Sequence, residues 1–414
     1  MNDEQLRAVA AAVKIDRVMG RIRELAAQAP SGQGGVTRLP FSPQETKGME
    51  TVAGWMEEAG LTVAYDALGD MYGSTDGNRS GAPVLMAASH LDSVPNGGAY
   101  DGILGVVGAI EAMEAMRAAG AQPGVALEIA VWRAEEASVF SQGRLGSVYF
   151  TGQVRLETIR SWDRPGLGVA EDLERMAARP QRAPGRPVQG YLELHIEQGR
   201  RLEEAGIPIG VVTGIPGAIR WRIELKGRPD HSGATPMGSR RDALVAAAEL
   251  ILEMERAGLD EREYNTVATV AAVRVTPGAW NVVPGWAELR SDVRGTDVES
   301  VERVLERVRQ KGAQMEAERG VAFSYEETTR GKPVKLDAAT TDRIEATAEL
   351  LGLRNLRMPS GAGHDAQTVA PYCPAGMVFI PSVGGVSHCP EEESRPEDIR
   401  AGIQLLAATW ASLA

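Results

Sequence analysis

A short unbroken apolar run at residues 84–88, and a second at 126–132 broken only by Glu128, have the length of buried strands. Residues 103–116, apolar almost all round, have the length of a buried helix. A further strand is expected at 61–65. Ser42-Pro43-Gln44-Glu45 reads as a capping box with proline at the first helical position, and Gly60 as the stop. Met49, Val52, Trp55 and Met56 share one face of the helix between them. Strand and helix alternate, which predicts an α/β sheet covered on both faces.

After a proline-rich connector at 180–187 and a strand at 191–196, the rhythm changes. Ile219, Trp221, Ile223 and Leu225 alternate with polar residues, as in a strand with one face in water. A helix at 241–257, strands at 266–275 and 286–294, a helix at 298–318 and a strand at 321–326 complete a β-α-β-β-α-β order, the ferredoxin-like pattern. From Lys332 the α/β character returns, with a helix at 338–351, a strand at 376–380 and a last helix at 396–413. The expected organisation is a discontinuous α/β domain of residues 1–212 plus 330–414, interrupted by a second domain of 213–329.

Composition agrees with that division, since 414 residues exceed one typical core. A net charge of −12 with no compensating basic stripe argues against nucleic acid and anionic membrane as partners. No apolar run approaches the ~20 residues of a membrane span, and the charged N-terminus lacks a signal peptide's apolar core. Two cysteines, Cys373 and Cys389, are too few for a disulfide framework, and a cytoplasmic setting is the simplest. A single bridge between them stays open at this stage.

The candidate chemistry gathers where His90-Leu-Asp-Ser-Val-Pro-Asn-Gly-Gly-Ala-Tyr-Asp101-Gly102 joins a strand to a helix. A histidine leaving a strand and an aspartate opening the next helix face the crevice where open α/β sheets place ligands. Asp92 is expected to orient the His90 imidazole through its second nitrogen. Taken alone, Asp101 reads equally as a helix cap and His90 as a satisfied buried histidine. The other histidines change the balance. The chain has five, His90, His195, His231, His364 and His388, each among glycine, small residues or carboxylates. Histidine with carboxylate at strand ends is a ligand set for Zn²⁺ and its neighbours. Glu135-Glu136 closes an apolar strand on the same sheet edge, so one glutamate can bind metal while the other faces substrate.

These residues resemble the zinc amidohydrolases of the M20 metallopeptidase superfamily, in the branch of N-carbamoyl-L-amino acid hydrolases, allantoate amidohydrolases and β-ureidopropionases. The resemblance runs from Gly-Val-Thr-Arg-Leu-Pro-Phe-Ser-Pro at 35–43 to the last helix. It includes Leu-His-Ile-Glu-Gln-Gly around His195, Asn-Val-Val-Pro-Gly from Asn281, Asp-Val-Arg at Arg294 and Ser-Gly-Ala-Gly-His-Asp around His364. It implies a mixed-sheet catalytic domain with an inserted lid or dimerisation domain, and a homodimer formed through the lid. Two divalent ions per subunit are implied, zinc first, with Mn, Co or Ni also suited to the ligands. Asp101 would bridge them, with His90 and His195 completing one site and Glu136 and His388 the other. Glu135 would be the general base and His231 the oxyanion donor. Gln198, His231, Asn281, Arg294, Gly363 and His364 would hold the substrate.

The activity so implied is hydrolysis of the carbamoyl C–N bond of an N-carbamoyl-L-amino acid. Allantoate amidohydrolase and β-ureidopropionase are the alternatives, followed by aminoacylase or dipeptidase. Closure between the domains is expected to assemble the site. Without the resemblance, Arg294 reads as a solvated strand end, Asn281 as a turn residue and His231 as a loop histidine. One departure stands out. Ala137-Ser138-Val139-Phe140 replaces a segment that in the family carries a glycine and, before the phenylalanine, an arginine. Cys389 is expected to pack rather than ligate.

Overall fold

The computed structural model describes residues 1–140, 142–163 and 167–414, and the chain divides into two compact units. The first comprises Met1–Thr213 and Leu336–Ala414, the second Gly214–Lys335. The second unit ends a few residues beyond 329 because Val334–Lys335 pairs antiparallel with Gly214–Ile215.

The first unit is built on an eight-stranded mixed sheet. Its four central strands, in the order Ala126–Trp132, Val84–His90, Val188–Ile196 and Ala375–Ile380, are mutually parallel. Thr62–Tyr65 and Met71–Ser74 extend one side antiparallel. Ile209–Val212 and Asn355–Met358 extend the other. Parallel strands buried on both faces require continuous apolar runs, and Val84–His90 is buried at every residue. The helix Ile103–Ala118 packs against Pro396–Leu413. Val106, Val107 and Ile110 are wholly buried there, each contributing on the order of 1.5–3 kcal/mol.

The helix expected from Ser42 runs Pro43–Glu58, and Ser42 accepts the Glu45 N–H at 3.2 Å. The reciprocal half of the capping box is absent. The Glu45 carboxylate accepts the Phe41 N–H and the guanidinium of Arg133 instead. The pattern reading left the helices Asp3–Ala11 and Ile15–Gln28 and the short strands Met71–Ser74, Ile209–Val212 and Asn355–Met358 undetected. Both cysteines are free, so the possible bridge does not exist. No helix of the described residues is long and apolar enough to cross a membrane.

In the second unit, the chain order is Gly217–Lys226, Ala243–Asp260, Val267–Thr276, Trp286–Gly295, Val298–Arg319 and Ala322–Arg330, again β-α-β-β-α-β. The four strands form an antiparallel sheet with Gly217–Lys226 and Trp286–Gly295 in the middle. Ile219, Trp221, Ile223 and Leu225 are buried in a core they share with the two helices, whereas Arg220 and Arg222 are exposed.

Candidate metal centre

Each central parallel strand of the first unit delivers a candidate ligand at its carboxyl end. His90 ends one strand, His195 lies one residue before the end of the next, and Glu136 and His388 follow the other two. Asp101 enters on the turn into Ile103–Ala118. That turn demands Gly102, whose φ is +68° and where a Cβ would lie 2.4 Å from the His90 ring.

The ligand atoms form two triads that share Asp101. His90, Asp101 and His195 make one, and Asp101, Glu136 and His388 the other, with the atoms of each within 4.8 Å of one another. Asp101 Oδ1 is 3.5 Å from His90 Nε2 and 3.1 Å from His195 Nε2. Its Oδ2 is 3.1 Å from His388 Nε2, which lies 3.2 Å from Glu136 Oε1.

The tautomers test whether a cation fits. His90 Nδ1 lies 3.1 Å from the Asp92 carbonyl and His195 Nδ1 2.9 Å from the Ile196 carbonyl. A carbonyl can only accept, so both Nδ1 atoms carry hydrogen. Their Nε2 lone pairs then point at a carboxylate, an arrangement that needs a positive charge in between. Protons supply that charge in the metal-free protein. His388 is raised to about 10 by hydrogen bonds to Asp101 and Glu136. His90 and His195 are raised too, because bonds to Asp101 outweigh a burial that pulls them down. Burial alone would push Asp101 up, but the three histidines hold it well below the carboxylate range. Two divalent cations match this donor set.

Asp92 accepts from the second nitrogen of His90 as expected, with its backbone carbonyl at 3.1 Å, while its Oδ1 lies 3.7 Å from the same nitrogen. The two carboxylate oxygens accept the N–H groups of Glu135 and Glu136, each at 3.0 Å. The two glutamates sit on a turn rather than an extended strand, with Ala134 at φ +54°. Glu136 is buried and Glu135 partly so. Burial first, then the charges of Asp365, Glu136 and Asp92, push Glu135 well above the usual glutamate value against the pull of His90.

The remaining candidates separate. Gln198, at φ +58°, donates from Nε2 to Asp101 Oδ2 at 2.8 Å and so touches the centre directly. His364 is buried, with its ring edge against His195 at 4.5 Å between centroids and Nε2 3.0 Å from Ser360 Oγ. Gly363 beside it is exposed. His231, Asn281 and Arg294 belong to the second unit. His231 Nδ1 accepts the N–H groups of Gly233 and Ala234, both at 3.1 Å, so Nε2 carries the proton and is a donor. His231 pairs in register with Val282, and Ser232 donates to the Asn281 carbonyl, so these two candidates share one short ribbon. The Arg294 fork is already engaged, through Nε and Nη2, by the Asp292 carboxylate at 2.7 and 3.1 Å.

Sequence reasoning missed residues that hold this site together. Arg133, 1% exposed, bonds Glu45, Asp172 and the Leu68 carbonyl, and its own N–H donates to Asp70, just ahead of the Glu135 turn. Glu392 accepts the Asp101 N–H. It lies within an acidic run after Cys389, where only the fold distinguishes it. Cys389 belongs to neither triad.

A mixed α/β sheet that presents two histidine–carboxylate triads at one edge defines the class, a hydrolase built around a cation-binding cluster. Residues 86–412 match the profile of Peptidase family M20/M25/M40, and the chain belongs to that family. It is 38% identical over 404 residues to an N-carbamoyl-L-amino acid amidohydrolase of Geobacillus stearothermophilus, covering 96% of this chain and 98% of the relative. It is 34% identical to a ureidoglycolate hydrolase of Oryza sativa subsp. japonica, over 97% and 85% of the two chains. A solved hydantoinase/carbamoylase family amidase from Burkholderia ambifaria superposes with a TM-score of 0.90 at 32% identity, covering 97% of each chain.

Proposed function

We propose that the chain is a metal-dependent amidohydrolase that converts N-carbamoyl-L-amino acids to the free amino acid, ammonia and carbon dioxide. The observation that carries the reading is the pair of triads sharing Asp101 with Glu135 beside them, in a chain whose full-length relatives include N-carbamoyl-L-amino acid amidohydrolases. His90, Asp101 and His195 would hold one divalent ion, and Asp101, Glu136 and His388 the second. Two divalent ions held by these residues would supply a water of pKa lowered toward ~7 and Lewis-acid polarisation of the carbamoyl group. Glu135, raised by its burial, takes the proton of the attacking water and returns it to the leaving amine. Gln198, Gly363 and His364 line the substrate side of the centre. His231 donates from Nε2 to the tetrahedral oxygen, Asn281 binds alongside it, and Arg294 recognises the carboxylate on exchange with Asp292.

The geometry of the second unit bears on how these last residues are supplied. Arg294 lies eight residues along its strand from Trp286. The ribbon of His231 and Asn281 continues beyond the Trp286 end, so at ~3.3 Å per residue the two groups are more than ~25 Å apart. One small substrate cannot touch both from the same copy. This supports a homodimer in which one copy supplies Arg294 and the other His231 and Asn281. The edge strand Val267–Thr276, mostly exposed, and the exposed Val245, Leu252 and Leu259, seven residues apart on one helix face, supply an apolar surface for it.

Ureidoglycolate and allantoate remain a second reading because relatives named for both cover most of this chain. Metal analysis combined with ammonia release from a panel separates the readings. The panel contains N-carbamoyl-L-amino acids, N-carbamoyl-β-alanine, ureidoglycolate, allantoate and N-acetyl amino acids. The highest kcat/KM is expected on N-carbamoyl-L-amino acids. Turnover confined to N-acetyl amino acids would reject the ureido reading altogether.

A further inference from the structure

The two triads are not held alike. His90 and His195 are buried, and each is fixed by a backbone carbonyl on its Nδ1. The His388 side chain is 49% exposed, sits on a residue at φ +60°, and has no hydrogen bond to Nδ1 among the described residues. What holds its loop is a carboxylate outside both triads. Glu392 is 5% exposed. Its Oε1 accepts the N–H groups of Tyr100 and Asp101, each at 3.0 Å. Its Oε2 accepts Ser387 Oγ–H at 2.6 Å and the His388 N–H at 3.4 Å. Ser387 Oγ also lies 3.2 Å from Asp101 Oδ2. The fold makes room for this carboxylate at Gly98, where a Cβ would fall 2.1 Å from Glu392 Oε1.

We infer that Glu392 is a positioning residue that clamps the Asp101 turn to the His388 loop, so that binding of the second ion, at Asp101, Glu136 and His388, depends on it. The inference rests on the two-ion reading above. Both oxygens are used, one on each segment, and the segments lie far apart in sequence, so no local turn can substitute for the clamp. Loss of Glu392 frees the His388 backbone and one end of the bridging aspartate. The first triad shares Asp101 but keeps the carbonyls that orient its two imidazoles, and the effect therefore falls more heavily on the second ion. Outer partners of ligands typically set metal affinity by 10–100-fold.

The test is calorimetric titration of Zn²⁺ into metal-free protein, with metal content measured after gel filtration. Wild type is expected to take up two ions per chain. Glu392→Ala should keep one near wild-type affinity and bind the other at least tenfold more weakly. Glu392→Gln, which retains a carbonyl acceptor, should recover part of that loss. Circular dichroism and melting of the metal-free proteins report on folding. If Glu392→Ala fails to fold, Ser387→Ala provides the same contrast, weakening the second ion alone by a smaller factor. Two ions at wild-type affinity in Glu392→Ala, or equal weakening of both, would overturn the clamp. A wild type that binds no second ion would sink the two-ion reading and the clamp with it.

Discussion

The two units treat charge and apolar surface differently. The first unit buries charge as well as exposing it. Arg133 sits between Glu45 and Asp172 at 2.5 Å from each, all three inside the fold, and the buried Glu128 takes the partly buried Arg182 at 2.7 Å. In the second, pairs such as Arg222–Glu326 and Arg303–Glu261 lie at the surface, where each is worth little. Large apolar side chains reverse the pattern. Among those exposed in the described residues, all but Met1 and Tyr372 belong to the second unit, including Leu252, Leu259, Val267, Val273 and the fully exposed Trp280. Buried charge fixes the backbone where chemistry needs fixed geometry. Exposed apolar surface marks where another surface is expected to cover it.

The first side of this contrast is broken most sharply at the chemistry itself. Glu135→Gln would remove the proposed base and touches no member of either triad, so kcat should fall by roughly 10²–10⁴-fold with metal content unchanged. Near-wild-type turnover with full metal content would remove Glu135 from its role. Arg133→Met comes next. Burial already pushes the Glu45 carboxylate up, and Arg133 is what offsets it. Without the guanidinium, Glu45 is left as an uncompensated buried acid, a situation that costs on the order of 3–5 kcal/mol, while Asp172 keeps Arg175. Urea unfolding should show a loss of that size, and a loss below about 1 kcal/mol would mean that the buried Arg133–Glu45 pair contributes little to holding the fold.

For the second unit, the decisive experiment is complementation between two inactive variants. Glu135→Gln and His231→Ala are each expected to be nearly dead alone. If His231 serves the partner's centre, mixing and re-equilibrating equal amounts makes half the dimers mixed, each with one intact site. About a quarter of wild-type activity should return. If His231 serves its own chain's centre, nothing returns. Leu252→Glu, on the exposed helix face, should reduce the mass in solution from two chains to one and abolish the complementation.

The contrast also explains what was legible in the sequence. The buried parallel strands announced themselves as apolar runs, and the second unit as strict alternation at Ile219, Trp221, Ile223 and Leu225. Both follow from which faces meet water. The residues alone gathered the five histidines and the Glu135–Glu136 pair, and it was the family resemblance that singled out His90, Asp101, Glu136, His195 and His388 as ligands. The residues that hold them were less legible. Asp92 does hold the His90 imidazole, but through its backbone carbonyl, and side-chain and backbone acceptors are indistinguishable in a string. Glu392 and Arg133 look like ordinary surface charges until the fold buries them. The helices at Asp3–Ala11 and Ile15–Gln28 were passed over because frequent charges obscured the apolar face that each of them buries.

The smallest effect concerns protons at the centre, and it sharpens the same contrast. In the metal-free protein, hydrogen bonds to Asp101 and Glu136 raise His388 to about 10, and His90 and His195 are raised as well. A histidine whose folded value is raised contributes stability that is fully present below its unfolded value near ~6.5 and is lost as pH rises through the folded value. Metal-free protein should therefore melt at progressively lower temperature from pH ~6.5 upward. The charged pairs of the second unit add no comparable slope, being exposed and far from their own titration ranges. With Zn²⁺ bound, the protons have already left and the slope should flatten. The released protons should appear as a dependence of binding enthalpy on the ionisation enthalpy of the buffer. A metal-free melting temperature that stays flat between pH 6.5 and 9 would mean that something other than protons compensates the carboxylates around Asp101.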